Sequence, residues 1–422
     1  MDHSDKGLTR RDFTKVAAGA AASFAILSGR PGKADANVDT LKVGLLGCGG
    51  RGTSAAINIL EGDNNVQLVA MADVFADRLN SSREKIKNSE KELVAKGYAV
   101  EDDHCFTGLD AYEKILQTDI DILLEATLPY SRSIHLLAAA KAGKHIFTEK
   151  PVAVDPTGIR RVLEAAKICE EKKKCVVAGT QRRHHRPYME TIKKLHDGAI
   201  GEVVALRAYW CGTLPFCHDR KPGWTDLEYR LRNWINYCWT SGDNIVEQHI
   251  HNLDVCNWVM NGHPVSVLAS GGRVWKPREE KYGDLWDNFS CDYEYPNGVH
   301  MASFSRHWDG CAENVSEAAV GTKGKSTCRD LAPGVDETSG YIWEHRDLVA
   351  AIRGNAPYLN ELQRVAESTM TAIMGRMAAY SGKLVTWDDA LNSDLSIVPD
   401  VVAWDRPYPV GPIPIPVDKS KY

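Results

Sequence analysis

In its first half the chain alternates short apolar runs with longer amphipathic stretches. Runs at 41–46, 66–72, 121–127, 144–150 and 175–180 are too short and too continuous for helices and read as buried strands. Between them, 53–60, 76–97, 131–142 and 157–171 read as helices. Strands alternating with helices predict a parallel, doubly wound sheet. Beyond about residue 201 the rhythm changes. Strand-like runs at 203–211, 265–274, 288–295, 299–306 and 317–320 are separated by turns, and Pro296-Asn297-Gly298 marks a hairpin. A second, largely antiparallel sheet is expected there. Helical patterns return at 341–353 and 362–381, expected to pack back near the junction of the two sheets. The Pro-rich stretch 407–416 reads as an extended arm.

The first strand runs into Gly47-Cys48-Gly49-Gly50-Arg51-Gly52, and the second ends in Asp73. This order of strand, G-x-G-x-x-G, helix, strand and acid suits a dinucleotide. Gly47 permits the tight turn, Gly49 lets the backbone approach a pyrophosphate, and Gly52 allows close helix–strand packing. Gly50 and Arg51 lie within the same turn, whose helix aims its first N–H groups at the phosphates. Asp73 can accept hydrogen bonds from the adenosine ribose and would repel a ribose phosphate, so NAD is favoured over NADP. The fold class that follows is an α/β Rossmann domain plus an α+β domain with a largely antiparallel sheet.

Ligands in such sheets lie beyond the carboxyl ends of the strands. That rule selects Thr127 and Pro129, the Glu149-Lys150-Pro151 tripeptide, and Gln181, Arg182 and Arg183. Lys150, at a strand end beside a cofactor, can exchange a proton with a substrate hydroxyl. A second constellation is a helix expected from about Asp243 to Met260. Glu247, His251 and Asp254 are four and three residues apart, so they share one face. An imidazole flanked by carboxylates is oriented and made more basic, as a general base requires. A satisfied buried network and a metal site compete with that reading. His249 points away from the face. The aromatic stretch 210–239, with Trp234 and Tyr237, suits the apolar faces of a sugar or, equally, core packing.

Composition narrows the partners. A net charge of −5 gives no reason to expect a nucleic acid, and eleven cysteines without paired spacing give no cysteine-based metal site. Arg10-Arg11, a weakly apolar stretch at 16–27 and Ala34-Asp35-Ala36 read as a twin-arginine signal with its cleavage site. The expected location is therefore periplasmic or secreted, with the twin-arginine export machinery as a partner. The domains expected are a signal at 1–36, an NAD-binding domain at 37–180, an α+β substrate and oligomerisation domain at 181–340, and C-terminal helices and tail at 341–422.

With these motifs the chain resembles the Gfo/Idh/MocA family, named after glucose–fructose oxidoreductase and inositol dehydrogenase. The resemblance rests on Gly47 to Gly52, Asp73, Glu149-Lys150-Pro151, the G-T-Q-R-R at 179–183 and the histidine-bearing helix ending at Asp254. It implies an NAD(P)-binding domain, an open-faced sheet domain, and dimers or tetramers built through that sheet. It also implies Lys150 as catalytic lysine and His251 as catalytic histidine. One residue departs from the pattern: sugar and inositol dehydrogenases of the family usually carry Asp where this chain has Glu247. Substrate contacts are expected from Lys150, Arg182, Arg183, Trp234, Tyr237 and His251, with no metal. Free NAD is scarce outside the cytoplasm, so an exported member would keep its cofactor bound. Three readings stay open: an oxidoreductase on a sugar or sugar derivative, an NAD-dependent redox-neutral glycosidase, and a binder without catalysis, against which Lys150 and His251 argue.

Overall fold

The computed structural model describes residues 39–63 and 65–416. The arginine pair, the apolar stretch and the cleavage-site motif of the N-terminus lie outside the described residues. Six parallel strands form the first sheet: β1 (Leu41–Leu46), β2 (Val66–Asp73), β3 (Cys105–Thr107), β4 (Ile122–Glu125), β5 (His145–Thr148) and β6 (Val176–Ala178). Their order is 3-2-1-4-5-6, so chain direction across the sheet reverses beside β1, where a ligand crevice opens. Register then sets which residues meet there. Leu46 pairs with Ala72 on one side and Glu125 on the other, Glu125 with Thr148, and Thr148 with Ala178. Gly47, Asp73, Glu149 and Gly179 therefore emerge along one edge.

The second sheet has seven strands: β7 (Val203–Gly212), β8 (Ser266–Gly272), β9 (Asn288–Glu294), β10 (His300–His307), β11 (Asn314–Gly321), β12 (Gly324–Ser326) and β13 (Val385–Thr386). Their order is 12-11-7-10-9-8-13, and only the β7–β10 pair is parallel. The hairpin expected at Pro296-Asn297-Gly298 joins β9 to β10, with Gly298 at φ +77°. One face of the sheet is buried; the other exposes Leu268 and Phe304. This α/β-plus-sheet architecture is the fold class expected from the sequence.

One apolar cluster runs through both sheets. It joins Leu46, Ala72 and Ile146 to Val267, Phe289 and Met301 through Val365, Met370 and Ile373 of the helix Leu362–Ser381. The helix Gly340–Ile352 returns to the other face of the first sheet, where Leu348 and Val349 pack with Leu45 and Phe147. Residues 392–416 contain no helix or strand and run along the surface as an arm.

Two expected helices are broken. The stretch 76–97 forms Ala76–Lys87 and Glu92–Gly97, interrupted where Ser89 Oγ accepts from Lys91 N at 3.3 Å. The stretch 243–260 forms Asn244–Glu247 and Ile250–Met260. At the second break the ring of His249 turns into the core, where its Nε2 meets Ser303 Oγ on β10 at 2.8 Å.

Candidate functional site

The glycine turn divides into two kinds of glycine. A Cβ on Gly47 (φ +95°) would lie 2.6 Å from the Ala126 backbone, and one on Gly52 would lie 1.8 Å from the Gly47 carbonyl oxygen. Both glycines are demanded by the protein's own packing. At Gly49 the nearest atom would be Arg78 Nη1 at 3.7 Å, and at Gly50 nothing lies within 4 Å. These two face open space. The helix Gly50–Gly62 starts there with no side-chain cap and no acidic residue in its first turn, so its leading N–H groups remain available to an anion. Asp73 holds the turn from the other side, accepting from Cys48 N at 2.6 Å and Phe75 N at 2.8 Å. Burial pushes its carboxyl above the usual range, against the pull of those two N–H donors.

β5 delivers Glu149 and Lys150 to the same edge. Glu149 is buried, and its Oε1 accepts from Arg51 Nη2 at 2.6 Å and Nε at 3.0 Å. The Lys150–Pro151 peptide is cis. Lys150 Nζ crosses to the broken helix, donating to the Glu247 carbonyl oxygen at 2.6 Å and to Glu247 Oε1 at 3.0 Å. Below this strand end sits Glu125, fully buried, bonded to the Thr127 hydroxyl and 3.4 Å from Arg132 Nε. Arg132 in turn donates to the carbonyls of Thr127 (2.6 Å) and Pro151 (2.8 Å). The loops after β4 and β5 are thereby tied together.

His251 does not sit between two carboxylates. Glu247 is committed to Lys150, and its Oε2 is buried without a partner. Asp254 is taken by Arg183 (Nε 2.9 Å), Arg364 (Nη1 3.2 Å) and Ser368 (Oγ 2.7 Å). Neither ring nitrogen of His251 bonds to a protein group among the described residues, and Nδ1 is buried. The expectation of a more basic imidazole is thus corrected. Burial, then the positive charges of Lys150, Arg182 and Arg51, hold His251 well below its ordinary pKa. It is a neutral base, its ring stacked on Trp210 with centroids 6.1 Å apart.

The glycine turn, Asp73, Glu149, Lys150, Glu247 and His251 open on one cavity of about 910 Å³. Its wall includes Gly47, Gly49, Gly50, Arg51, Gly52, Asp73, Thr127, Glu149, Lys150, Trp234, Glu247 and His251. Five residues expected at the site are not part of the wall. Pro129 opens the helix Pro129–Lys141 behind it. Gln181 is held in a short helical turn, with its Oε1 buried and unpartnered. Arg182 pairs with the buried Glu317, and Arg183 with Asp254. Tyr237 is buried, its hydroxyl on the Glu280 carbonyl and its ring under the Arg230 guanidinium at 4.0 Å. Sequence reasoning also missed wall residues. Arg132 and His135 were detectable as polar side chains on an apolar helix. Tyr341 opens the helical pattern 341–353, which gave no sign that this residue lines a cavity, and the segment 398–402 carried no periodic signal.

Residues 41–180 match the family described as "Oxidoreductase family, NAD-binding Rossmann fold", and residues 188–326 match the "GFO/IDH/MocA C-terminal domain". The chain is 28% identical over 247 residues to a myo-inositol 2-dehydrogenase of Thermotoga maritima, covering 58% of this chain and 62% of that enzyme. It is 28% identical over 231 residues to an inositol 2-dehydrogenase of Rhizobium meliloti, covering 55% of this chain and 58% of that one. The match thus spans about three-fifths of these relatives' own length. A scyllo-inositol dehydrogenase from Lactobacillus casei, solved with NAD(H) and scyllo-inositol, shares the fold at a TM-score of 0.64 and 18% identity, covering 83% of this chain and 100% of that one. Together the glycine turn, the two sheets and the two family matches place the chain in the Gfo/Idh/MocA family of oxidoreductases, with an NAD-binding Rossmann domain.

Proposed function

We propose that the protein is an NAD-dependent oxidoreductase acting on a CH–OH group of a ring polyol, a sugar or a sugar derivative. The observation that carries this reading is that Lys150 and His251 line the same cavity as the glycine turn. The residues present fit the cofactor: Gly49 and Gly50 leave open the space a side chain would fill, and uncapped N–H groups border it. Gly47 to Gly52 would hold the pyrophosphate, and Asp73 the adenosine ribose. When bound, the nicotinamide would supply the acceptor or donor of a hydride.

The chain's own residues handle the proton. Lys150, fixed by Glu247, can donate a hydrogen bond to the substrate oxygen and stabilise negative charge developing there. His251, neutral because of its burial and its cationic neighbours, can accept the hydroxyl proton and return it in the reverse direction. Trp210, Phe216 and Trp234 offer apolar surfaces to the C–H faces of a ring, and Gln248 and His218 offer polar atoms to its hydroxyls. A ring polyol is also what the named inositol dehydrogenases act on.

Export by the twin-arginine route, if residues 9–36 direct it, would carry the folded protein with its cofactor inside. Such a cofactor is regenerated in place by a second substrate. The test is absorbance at the reduced-nicotinamide band of purified protein mixed with inositols, sugars and aryl glycosides in turn. The proposal expects near-stoichiometric nicotinamide and a single-turnover absorbance change with one class of polyol or sugar. Cleavage of aryl glycosides with no net change would replace it with the redox-neutral glycosidase.

A further inference from the structure

One wall of the cofactor cavity belongs to neither sheet domain. Val398, Pro399, Asp400 and Val402 line it, and they come from the irregular C-terminal arm, more than seventy positions beyond the end of the matched family region. The arm is pinned on both sides of the cleft. On the side of the first sheet, Arg160 Nη1 donates to the carbonyls of Leu391 and Ser393, each at 2.7 Å. There too, Asp155 Oδ2 accepts from Ile397 N at 2.9 Å. On the far side, buried Arg230 donates through Nε to the Tyr408 carbonyl at 3.0 Å, and Asp226 accepts from Tyr408 N at 3.0 Å. The Tyr408 hydroxyl accepts from Ala403 N at 2.9 Å, folding the arm back on itself directly after the cavity-lining residues.

The arm covers a particular part of the cleft. Val398 and Val402 belong to the same apolar cluster as Val74 and Phe75, which follow Asp73 at the end of β2, and Leu109, which follows β3. Trp404 meets Phe75 edge-on with ring centroids 6.1 Å apart. The ends of β2 and β3 form the adenosine side of such a cleft. Beside them Arg232 pairs with Asp77 at 2.9 Å and 3.0 Å and lies over the Phe75 ring at 4.0 Å, closing the same edge.

We propose that residues 398–402 are a strap that completes the adenosine subsite and sets how slowly the dinucleotide leaves. This rests on the NAD-dependent reading above. A ligand under a wall pinned at both ends departs only after the wall shifts, so the strap acts chiefly on the rate of release. It would make the cofactor a resident group without any covalent bond.

Two variants test the strap. Val398→Gly/Pro399→Gly/Asp400→Gly removes three of the four lining side chains and leaves every anchor in place. Tyr408→Phe removes the hydroxyl that folds the arm back and leaves the lining intact. Bound NADH is chased with excess NAD and followed by fluorescence, and the affinities for AMP and nicotinamide mononucleotide are measured separately by calorimetry. The triple variant should release NADH at least about tenfold faster, with Tyr408→Phe shifted in the same direction. AMP should bind more weakly to the triple variant, and nicotinamide mononucleotide equally well. Release at the wild-type rate in both variants overturns the strap while leaving the cofactor reading intact. If the triple variant does not fold, Tyr408→Phe alone decides. Wild-type protein that binds no nicotinamide dinucleotide overturns both.

Discussion

Two charged clusters lie within two turns of each other on the stretch 247–254, built from the same kinds of residue, and they are completed in opposite ways. Around Asp254, the carboxylate meets Arg183, Arg364 and Ser368. Farther out, His184 meets Asp347 at 2.7 Å and Glu361 at 3.4 Å. Burial alone would raise the Asp254 carboxyl; Arg183 and Arg364 more than offset it, and the group stays below its ordinary value. Burial likewise opposes charge on His184, yet Glu361 and Asp347 lift its pKa to about 10. Around His251 the reverse holds. Its Nδ1 and Glu247 Oε2 are buried without partners, and its neighbours Lys150, Arg182 and Arg51 repel a proton. Buried polar atoms are normally satisfied, because an orphan costs about 1–3 kcal/mol. The first cluster spends its hydrogen bonds on architecture. The second withholds them beside a cavity, where a substrate can complete them.

The sharpest way to break this contrast is Lys150→Met. Turnover should fall by about 10²–10⁴ while the protein stays folded and retains its nicotinamide, as expected for lost proton handling. Steady-state rates together with bound-cofactor absorbance check it; loss of folding along with activity would put Lys150 in the architectural cluster instead. Asp254→Ala should do the opposite. It strands the Arg183 guanidinium in a buried site, removes one of the two carboxylates on Arg364, and should cost about 3–5 kcal/mol of stability, read from urea unfolding. A cost below about 1 kcal/mol would show that the cluster is not structural.

The smallest effect is the shape of stability against pH. His249 and His307, each held to about 3 chiefly by burial, remain neutral in the fold while the unfolded chain takes up protons below about pH 6.5. Their contribution is complete above that pH and is lost as the pH falls toward 3. His184 is charged in the fold, so its contribution is complete below about pH 6.5 and is lost as the pH rises through about 10. Each proton changes stability by about 1.4 kcal/mol per pH unit in its window. Denaturation across pH should therefore show His184→Gln flattening the alkaline limb and His249→Gln the acid limb. An alkaline limb unchanged in His184→Gln would remove His184 from the charged cluster.

What was legible in the sequence is what neighbours in the chain decide. The glycine turn needs only a strand before it and a helix after it, and the β9–β10 hairpin needs only Pro296-Asn297-Gly298. Strand ends were legible because apolar runs stop where the crevice begins. What was not legible is which partner a charged group takes. Glu247 turns to Lys150, 97 positions away, and Asp254 to Arg364, 110 positions away, so helical spacing alone put them on one face with His251. The break after Glu247 has the same origin, since His249 answers to Ser303 on another strand. Aromatic content could not separate Trp234, which lines the cavity, from Tyr237, which is covered by Arg230. The Pro-rich stretch 407–416 read as an extended arm, but the lining of the cavity by 398–402 escaped, because a segment without period gives no sign of what it covers.

The helix Leu362–Ser381 belongs to neither sheet and is buried against both, through the apolar cluster that joins them. Two architectural halves therefore share a thermodynamic fate. The described residues from 40 to 416 form a single compact unit, so neither half can swing open on a linker or be cut away intact. Heating or denaturant should melt them together in one cooperative step.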